Sequence, residues 1–426
     1  MSERLLDKVR PALANDRKLF ADFIALCDCG GRRAGTASEE RGIQVAHARL
    51  AAIHPGASLT DVPYAGWRST RATLELAGGT SLACNSLLGA QSTPPGGIEV
   101  EVVDLGRGTE EDFARHAHEI AGRAVLVRHE YPFSAVHIHR RRKYNRAIEL
   151  NAAAFIIANP LPQSGPMSGS SGRGGGAGIP AIATDYESAA LLARRGDRLP
   201  RVRLELIGED YAATTSVIAL DLPGKSDARV ALTAHIDGHD LAESAMDNAT
   251  GVAVVLAVAR AFAPHVAQCE RGLRVCFFSA EEWALAGSRE YLDRMSEAER
   301  ARIALNINLD TVGGDAQLTA LTSEFPRLGP FVQETAAAQG LTLGTYAPMM
   351  SNSDHYNFAR HGIPAFRLVA GFDNPESNIR HILTRGDTRE KVEQSELVHA
   401  SQLTAALLAR ALTMSAPDIA ALRLKS

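Results

Sequence analysis

Five short segments in the second half of this 426-residue chain place an imidazole or a carboxylate at or just after the end of an apolar run. They are Ala234-His235-Ile236-Asp237, Met246-Asp247-Asn248, Ala280-Glu281-Glu282, Asn308-Leu309-Asp310 and Ser353-Asp354-His355. Each alone has an ordinary explanation. An Asp before a helix caps it, and paired acids in a first helical turn answer the helix dipole. A single His is usually a core or surface residue. Together they supply two His, two Asp and one Glu, with a second Glu beside the last. Such a set could hold two divalent metals about 3.5–4 Å apart, with one carboxylate bridging and one His plus one carboxylate completing each site. Residues two apart on an extended segment share a face, so Asp237 could orient the imidazole of His235 from behind. Of the adjacent acids, one could ligate a metal while the other acts as general base, because the cation offsets the charge of both.

The surrounding pattern shows how these groups would be positioned. Apolar runs at 230–234, 273–278 and 303–309 read as buried strands, and 251–263, 284–295 and 395–412 as helices. In open α/β sheets, ligands bind at the carboxyl ends of strands, which is where the five segments fall. The expected fold class is α/β: a mixed, largely parallel central sheet flanked by helices on both faces, with a smaller inserted α/β domain. The helix predicted at 37–53 and the alternating strand at 71–76 belong to an N-terminal part of the main domain, 1–97. The strand-helix-strand reading of 124–127, 143–150 and 154–157, with Asn151 stopping the helix, belongs to the insert, 98–212. The main part of the main domain would be 213–426. The Gly/Ser-rich stretch 165–178 lacks a following Gly-Lys-Ser/Thr and reads as a surface loop rather than a phosphate cradle.

Composition narrows the function classes. Apolar residues make up 45% and charged residues 22%, as in soluble globular proteins. Forty-five Lys and Arg against 49 Asp and Glu leave a formal charge of −4, which offers no field for nucleic acid. The one dense basic run, Arg140-Arg141-Arg142-Lys143, reads as a solvated face or a substrate rim. No run approaches the roughly 18 uninterrupted apolar residues of a membrane span. The segment from Met1 to Lys8 lacks the order of a signal peptide. Cysteines at 27, 29, 84, 269 and 276 suit a reducing compartment, so a cytoplasmic location without membrane contact is expected. Asn248-Ala249-Thr250 fits a glycosylation acceptor but would be unmodified there.

The chain resembles the co-catalytic dizinc exopeptidases of clan MH, a group that includes bacterial leucine aminopeptidases, plasma glutamate carboxypeptidases and the non-catalytic transferrin receptor. The resemblance lies in His235-Ile236-Asp237, Asp247-Asn248 with Gly251, Glu281-Glu282 with Gly287-Ser288, Asp310, and Ser353-Asp354-His355. It extends to Gly31-Arg32-Arg33-Ala34-Gly35-Thr36 and the helix after it. Residues 122–127, 152–157 and 179–182 resemble a protease-associated domain. The resemblance implies that Asp247 bridges two zinc ions, exchangeable with other divalent metals. His235 and Asp310 would complete one site, and Glu282 and His355 the other. Glu281 would deprotonate a metal-bridging water, and the Asp247–Asn248 peptide bond would be cis. Family members place a His four residues before the Asp of a final Asp-Thr pair. Leu383 stands there in this chain, which leaves His381 as the candidate oxyanion donor against the simpler reading of a surface His.

The function implied is zinc-dependent hydrolysis of peptide bonds at or near a chain terminus, of aminopeptidase or dipeptidase type, on a peptide or N-acyl amino-acid substrate. The alternatives are glutaminyl-cyclase-like acyl transfer, which usually uses one zinc, and a receptor-like scaffold, which predicts lost ligands. Asp240 or Glu243 could meet a free amine, and Arg380 or Arg385 a free carboxylate. A homodimer is left open.

Overall fold

The run from Val230 to Ala234 has no polar face to leave in water. In the computed structural model of the chain, which describes residues 2–171, 178–194 and 198–423, it forms the strand Arg229–His235, buried from Val230 onward. Strands buried on both faces sit inside parallel sheets. Gly272–Phe278 pairs parallel to one side of it and Ile303–Leu309 to the other, followed by Ala365–Ala370. The register sets His235 opposite Phe278, Thr233 opposite Asn308, and Leu309 opposite Leu368. All four carboxyl ends therefore open on one edge. Outside them, Leu318–Leu321 runs antiparallel to Ala365–Ala370, with Gly344–Tyr346 parallel beyond it. On the far side, the last third of Arg201–Leu222 runs antiparallel to Gly272–Phe278. The mixed α/β class expected from the sequence is what the chain forms.

The crossover from Arg229–His235 to Gly272–Phe278 runs one way across the sheet, and the crossover from Gly272–Phe278 to Ile303–Leu309 runs back. Right-handed connections then place their helices, Thr250–Phe262 and Ala286–Arg294, on opposite faces. Thr250–Phe262 is buried at every position but Arg260, because helices Ser2–Ala14, Lys18–Cys27 and Gln394–Thr413 cover it in turn. By length and composition residues 245–262 could cross a membrane, yet 89% of that stretch lies inside the fold, so it is a core helix. His355–Arg360 packs against Ala286–Arg294.

Two compact units emerge. The first comprises 1–64, 214–382 and 387–426, and the second 65–213 with 383–386. The second has its own sheet, in the order Arg201–Leu222 (its first residues), Ile98–Asp104, Ala124–Arg128, Ala154–Ala158, Ala181–Thr184, Cys84–Ser86. It begins at Ala65, inside the unbroken strand Ser58–Leu76, of which the expected strand 71–76 is only the end. The helix expected at 143–150 is Arg140–Glu149, and Asn151 takes the left-handed conformation after it (φ 58°). The basic run is not a solvated face throughout. Arg140 and Lys143 are buried, Arg140 donating to Ser170 O (2.9 Å) and Lys143 to Arg128 O (2.9 Å) and Glu130 (2.5 Å). In the Gly/Ser-rich stretch, 165–171 and 178 lie outside helices and strands, and 172–177 lie outside the described residues.

Candidate metal centre

His235 closes its strand, and its Nε2 points past the sheet edge to Asp247 Oδ1 at 3.0 Å and Asp310 Oδ1 at 3.4 Å. Among the described residues, His235, Glu281 and Asp310, all buried, offer ligand atoms within 4.8 Å of one another. Asp310 follows Ile303–Leu309, and Glu281 follows Gly272–Phe278 by three residues. The helix after the acidic pair starts only at Ala286, so Glu281 and Glu282 sit in a turn and not in a helical first turn. Asp247 lies in the turn Ala245–Ala249 and caps nothing, which removes its ordinary explanation. The Asp247–Asn248 bond is cis. Asn248 is buried, its amide donating to Leu309 O (2.9 Å) and its oxygen accepting from Gly251 (3.0 Å) and Thr311 (3.1 Å). A Cβ at Gly251 would stand 2.4 Å from Asn248 Oδ1 and 2.5 Å from Leu309 O, so only glycine lets the helix start this close.

Three carboxylates act on backbone around the cluster. Asp237 accepts from the N–H groups of Glu281 and Glu282. Behind His235, its backbone carbonyl is the nearer partner of Nδ1, at 3.1 Å, with Oδ1 at 3.6 Å. Asp387 is buried and accepts from Met246 N (2.7 Å) and Asp247 N (3.4 Å), holding the turn that carries Asp247. Glu39, in the N-terminal part, accepts from Gly35 N (2.6 Å) and from the hydroxyls of Ser279 and Thr215.

Electrostatics mark the centre as short of positive charge. Burial, reinforced by Glu282 and Asp310, pushes Glu281 well above the ordinary carboxylate range despite His235. Burial and Asp247 raise Glu282 against the pull of His239. Burial would lower His235, but Glu281 and Asp310 lift it well above its ordinary value. Burial would raise Asp310, but Arg367 (3.0 Å) and His235 hold it low. Four carboxylates, Asp247, Glu281, Glu282 and Asp310, thus converge where Arg367 is the strong cation acting on one of them. His235 Nε2, Asp247 Oδ1 and Glu282 Oε1 are buried without a well-aligned hydrogen bond. Orphaned buried ligand atoms with excess negative charge fit divalent metal.

Two further expected residues are His355, both of whose ring nitrogens are buried without a well-aligned hydrogen bond, and His381. His355 is buried at the start of His355–Arg360, where burial and the Arg367 guanidinium lower it to about 3; the charged groups acting on it are Arg367 and Asp310, not Glu282. His381 ends the turn Asn378–His381, with Lys391 and Arg380 as the charges acting on it. Glu282 instead meets His239, Oε2 to Nε2, at 2.7 Å. The candidate specificity groups are also engaged. Asp240 pairs with Arg33 (3.1 Å), Glu243 with Arg389 (2.7 Å), and Arg380 with Glu376 (3.0 Å), while Arg385 donates to Gln163 O within the second unit.

Residues 217–408 match the model of peptidase family M28, and residues 80–192 match that of the PA domain. The chain belongs to peptidase family M28. It is a metallopeptidase with an inserted PA domain, and the resemblance read from its motifs holds. This M28 peptidase is 25% identical over 341 residues to aminopeptidase YwaD of Bacillus subtilis, covering 76% of the chain and 70% of YwaD. It is 29% identical over 329 residues to the probable lipoprotein aminopeptidase LpqL of Mycobacterium tuberculosis, covering 70% of the chain and 62% of LpqL. Its fold superposes on the zinc aminopeptidase BSAP from Bacillus subtilis with a TM-score of 0.74 at 25% identity, over 94% of this chain and 96% of that one. A peptidase M28 precursor from Shewanella amazonensis gives a TM-score of 0.78 at 21% identity, over 97% and 98%.

Proposed function

We propose that this M28 peptidase is a two-metal exopeptidase of aminopeptidase type, with Glu281 as general base. The observation that carries the reading is the buried meeting of His235, Glu281 and Asp310 at one sheet edge, with Asp247 3.0 Å from the same imidazole. His235, Asp247, Asp310 and Glu282 would hold the ions. Bound there, zinc-type ions supply polarisation of the scissile carbonyl and a water of lowered pKa. Without cations, burial and neighbouring acids raise the proton affinity of Glu281; bound ions would offset those charges and leave a carboxylate able to take the proton of the attacking water. As the C–N bond breaks, the same carboxyl gives that proton to the leaving amine. Asp237, bonded to the N–H groups of Glu281 and Glu282, keeps base and ligand in fixed relation.

The aminopeptidase direction takes support from YwaD and LpqL, whose names carry that activity. The five cysteines are all free thiols, which supports a cytoplasmic location. Hydrolysis of leucine p-nitroanilide and its N-acetylated form tests the reading. The free-amine substrate should be cleaved and the acetylated one spared, with activity lost to prolonged phenanthroline treatment and restored by zinc. Chelator-insensitive cleavage, or cleavage of the acetylated substrate alone, would contradict it.

A further inference from the structure

The geometry points to His239 as the imidazole ligand of the second metal, beside Glu282, in the place that family resemblance gives to His355. This rests on the two-metal reading above. Two ligand atoms about 2.0–2.2 Å from one tetrahedral zinc lie roughly 3.3 Å apart. The pairing proposed for the first metal falls near that spacing, with His235 Nε2 at 3.0 Å from Asp247 and 3.4 Å from Asp310. His239 Nε2 and Glu282 Oε2 stand 2.7 Å apart as a direct imidazole–carboxylate pair, which an ion held between them would open by about 0.6 Å, and the charge of Asp247 acts on Glu282. His355 makes no such pair. Arg367 and Asp310 are the charges acting on it, and the guanidinium opposes the arrival of a second cation at its imidazole.

His239 is also built into position. It is 3% exposed. Its N–H donates to Ser244 Oγ (2.9 Å), and that hydroxyl donates back to its carbonyl (3.1 Å). Gly31 packs so tightly on the same carbonyl that a Cβ there would stand 1.8 Å away. Buried Arg32 ties both ends of the loop, donating to Ile236 O (2.9 Å), Glu243 O (2.7 Å) and Ser244 O (2.7 Å). Asp237, on the same loop, holds the Glu282 N–H at 3.2 Å, so one short segment positions both members of the pair. A ring held this firmly against a carboxylate at a metal centre has the preorganisation a ligand needs.

The competing role is a hydrogen bond that merely orients Glu282, and substitutions separate the two. In His239→Gln the amide can still donate to Glu282, but a carboxamide does not replace imidazole on zinc. Metal-free full-length protein would be titrated with zinc by calorimetry, and bound metal counted by mass spectrometry after gel filtration. The wild type should hold two equivalents, and His239→Gln one, with the second weakened beyond the about 10–100-fold that loss of a supporting group costs. His355→Gln should keep two. His239→Glu, which restores an oxygen ligand of similar reach, should recover the second equivalent, whereas an orienting role predicts two repelling carboxylates and no recovery. Two equivalents of wild-type affinity in His239→Gln, or the loss appearing in His355→Gln instead, would overturn the inference while leaving the two-metal reading intact. Fewer than two equivalents in the wild type would overturn that reading, and this inference with it.

Discussion

The carboxylate of Asp237 accepts the backbone N–H of Glu281 at 3.1 Å. Its other oxygen takes the N–H of Glu282 at 3.2 Å. One buried side chain at the end of one strand thereby sets the turn at the end of the next, and the proposed base is aimed by a residue 44 positions away. Asp237→Asn would turn an amide NH2 toward one of those donors. Activity should fall about 10–100-fold, as for other groups that support metal ligands, with thermal unfolding little changed. Steady-state kinetics beside a melting curve would show the split; equal loss of both would mean Asp237 is only structural.

Arg32 is fully buried and donates to five backbone carbonyls, those of Leu26, Gly30, Ile236, Glu243 and Ser244. Arg32→Met keeps most of the volume and leaves those acceptors without donors. Unsatisfied buried polar groups at about 1 kcal/mol or more each put the loss near 3–4 kcal/mol. Chemical denaturation of the metal-free protein would measure it. A loss under 1 kcal/mol would mean that water replaces the guanidinium.

Asp387 holds Met246 and Asp247 through their N–H groups, and burial raises its carboxyl to about 7 despite those bonds. Asp387→Ala frees the turn that carries the proposed bridging ligand. Metal affinity should drop by about 10–100-fold, read by competition with a zinc chelator of known affinity. Unchanged affinity would show that the turn holds itself.

In the second unit, burial drives His137 down to about 4, and His129 and His139, about 6 Å from it ring to ring, also well below 6.5. A folded-state pKa below the unfolded one means the native state binds fewer protons between those values. The stability these neutral rings contribute is present above pH 6.5 and is lost as pH falls toward 4. For His137 alone the swing is about 3 kcal/mol. Denaturation midpoints from pH 7 to 4 should fall less steeply in His137→Gln than in the wild type; parallel slopes would contradict the buried neutral ring.

The sequence made legible what local chemistry decides. The helix Ala37–Ile53 and the strand Ile303–Leu309 run end to end as read, the first because Thr36 caps it by accepting from Glu39 N (3.3 Å), the second because its apolar run is unbroken. What stayed hidden depends on distant partners. Arg32 was visible in its motif, but its bond to Ile236 spans 204 residues and no local pattern announces it. Arg367 stood as a lone cation inside an apolar strand, and that mismatch was the one available sign that something anionic, here Asp310, lay opposite. His239 stands four residues after His235 with no local pattern to mark it, because its partner Glu282 lies in the turn after the next strand. The division between the compact units was hidden for a different reason: Ser58–Leu76 passes from one unit into the other without any change of composition.

The most direct test of the general-base claim is Glu281→Gln, assayed on leucine p-nitroanilide with bound metal counted in the same preparation. The substitution keeps shape and removes the proton acceptor, so the turnover rate should fall by about 10²–10⁴-fold while metal content matches the wild type. A variant that keeps its metal and stays within tenfold of wild-type turnover would contradict the assignment of Glu281 as the base.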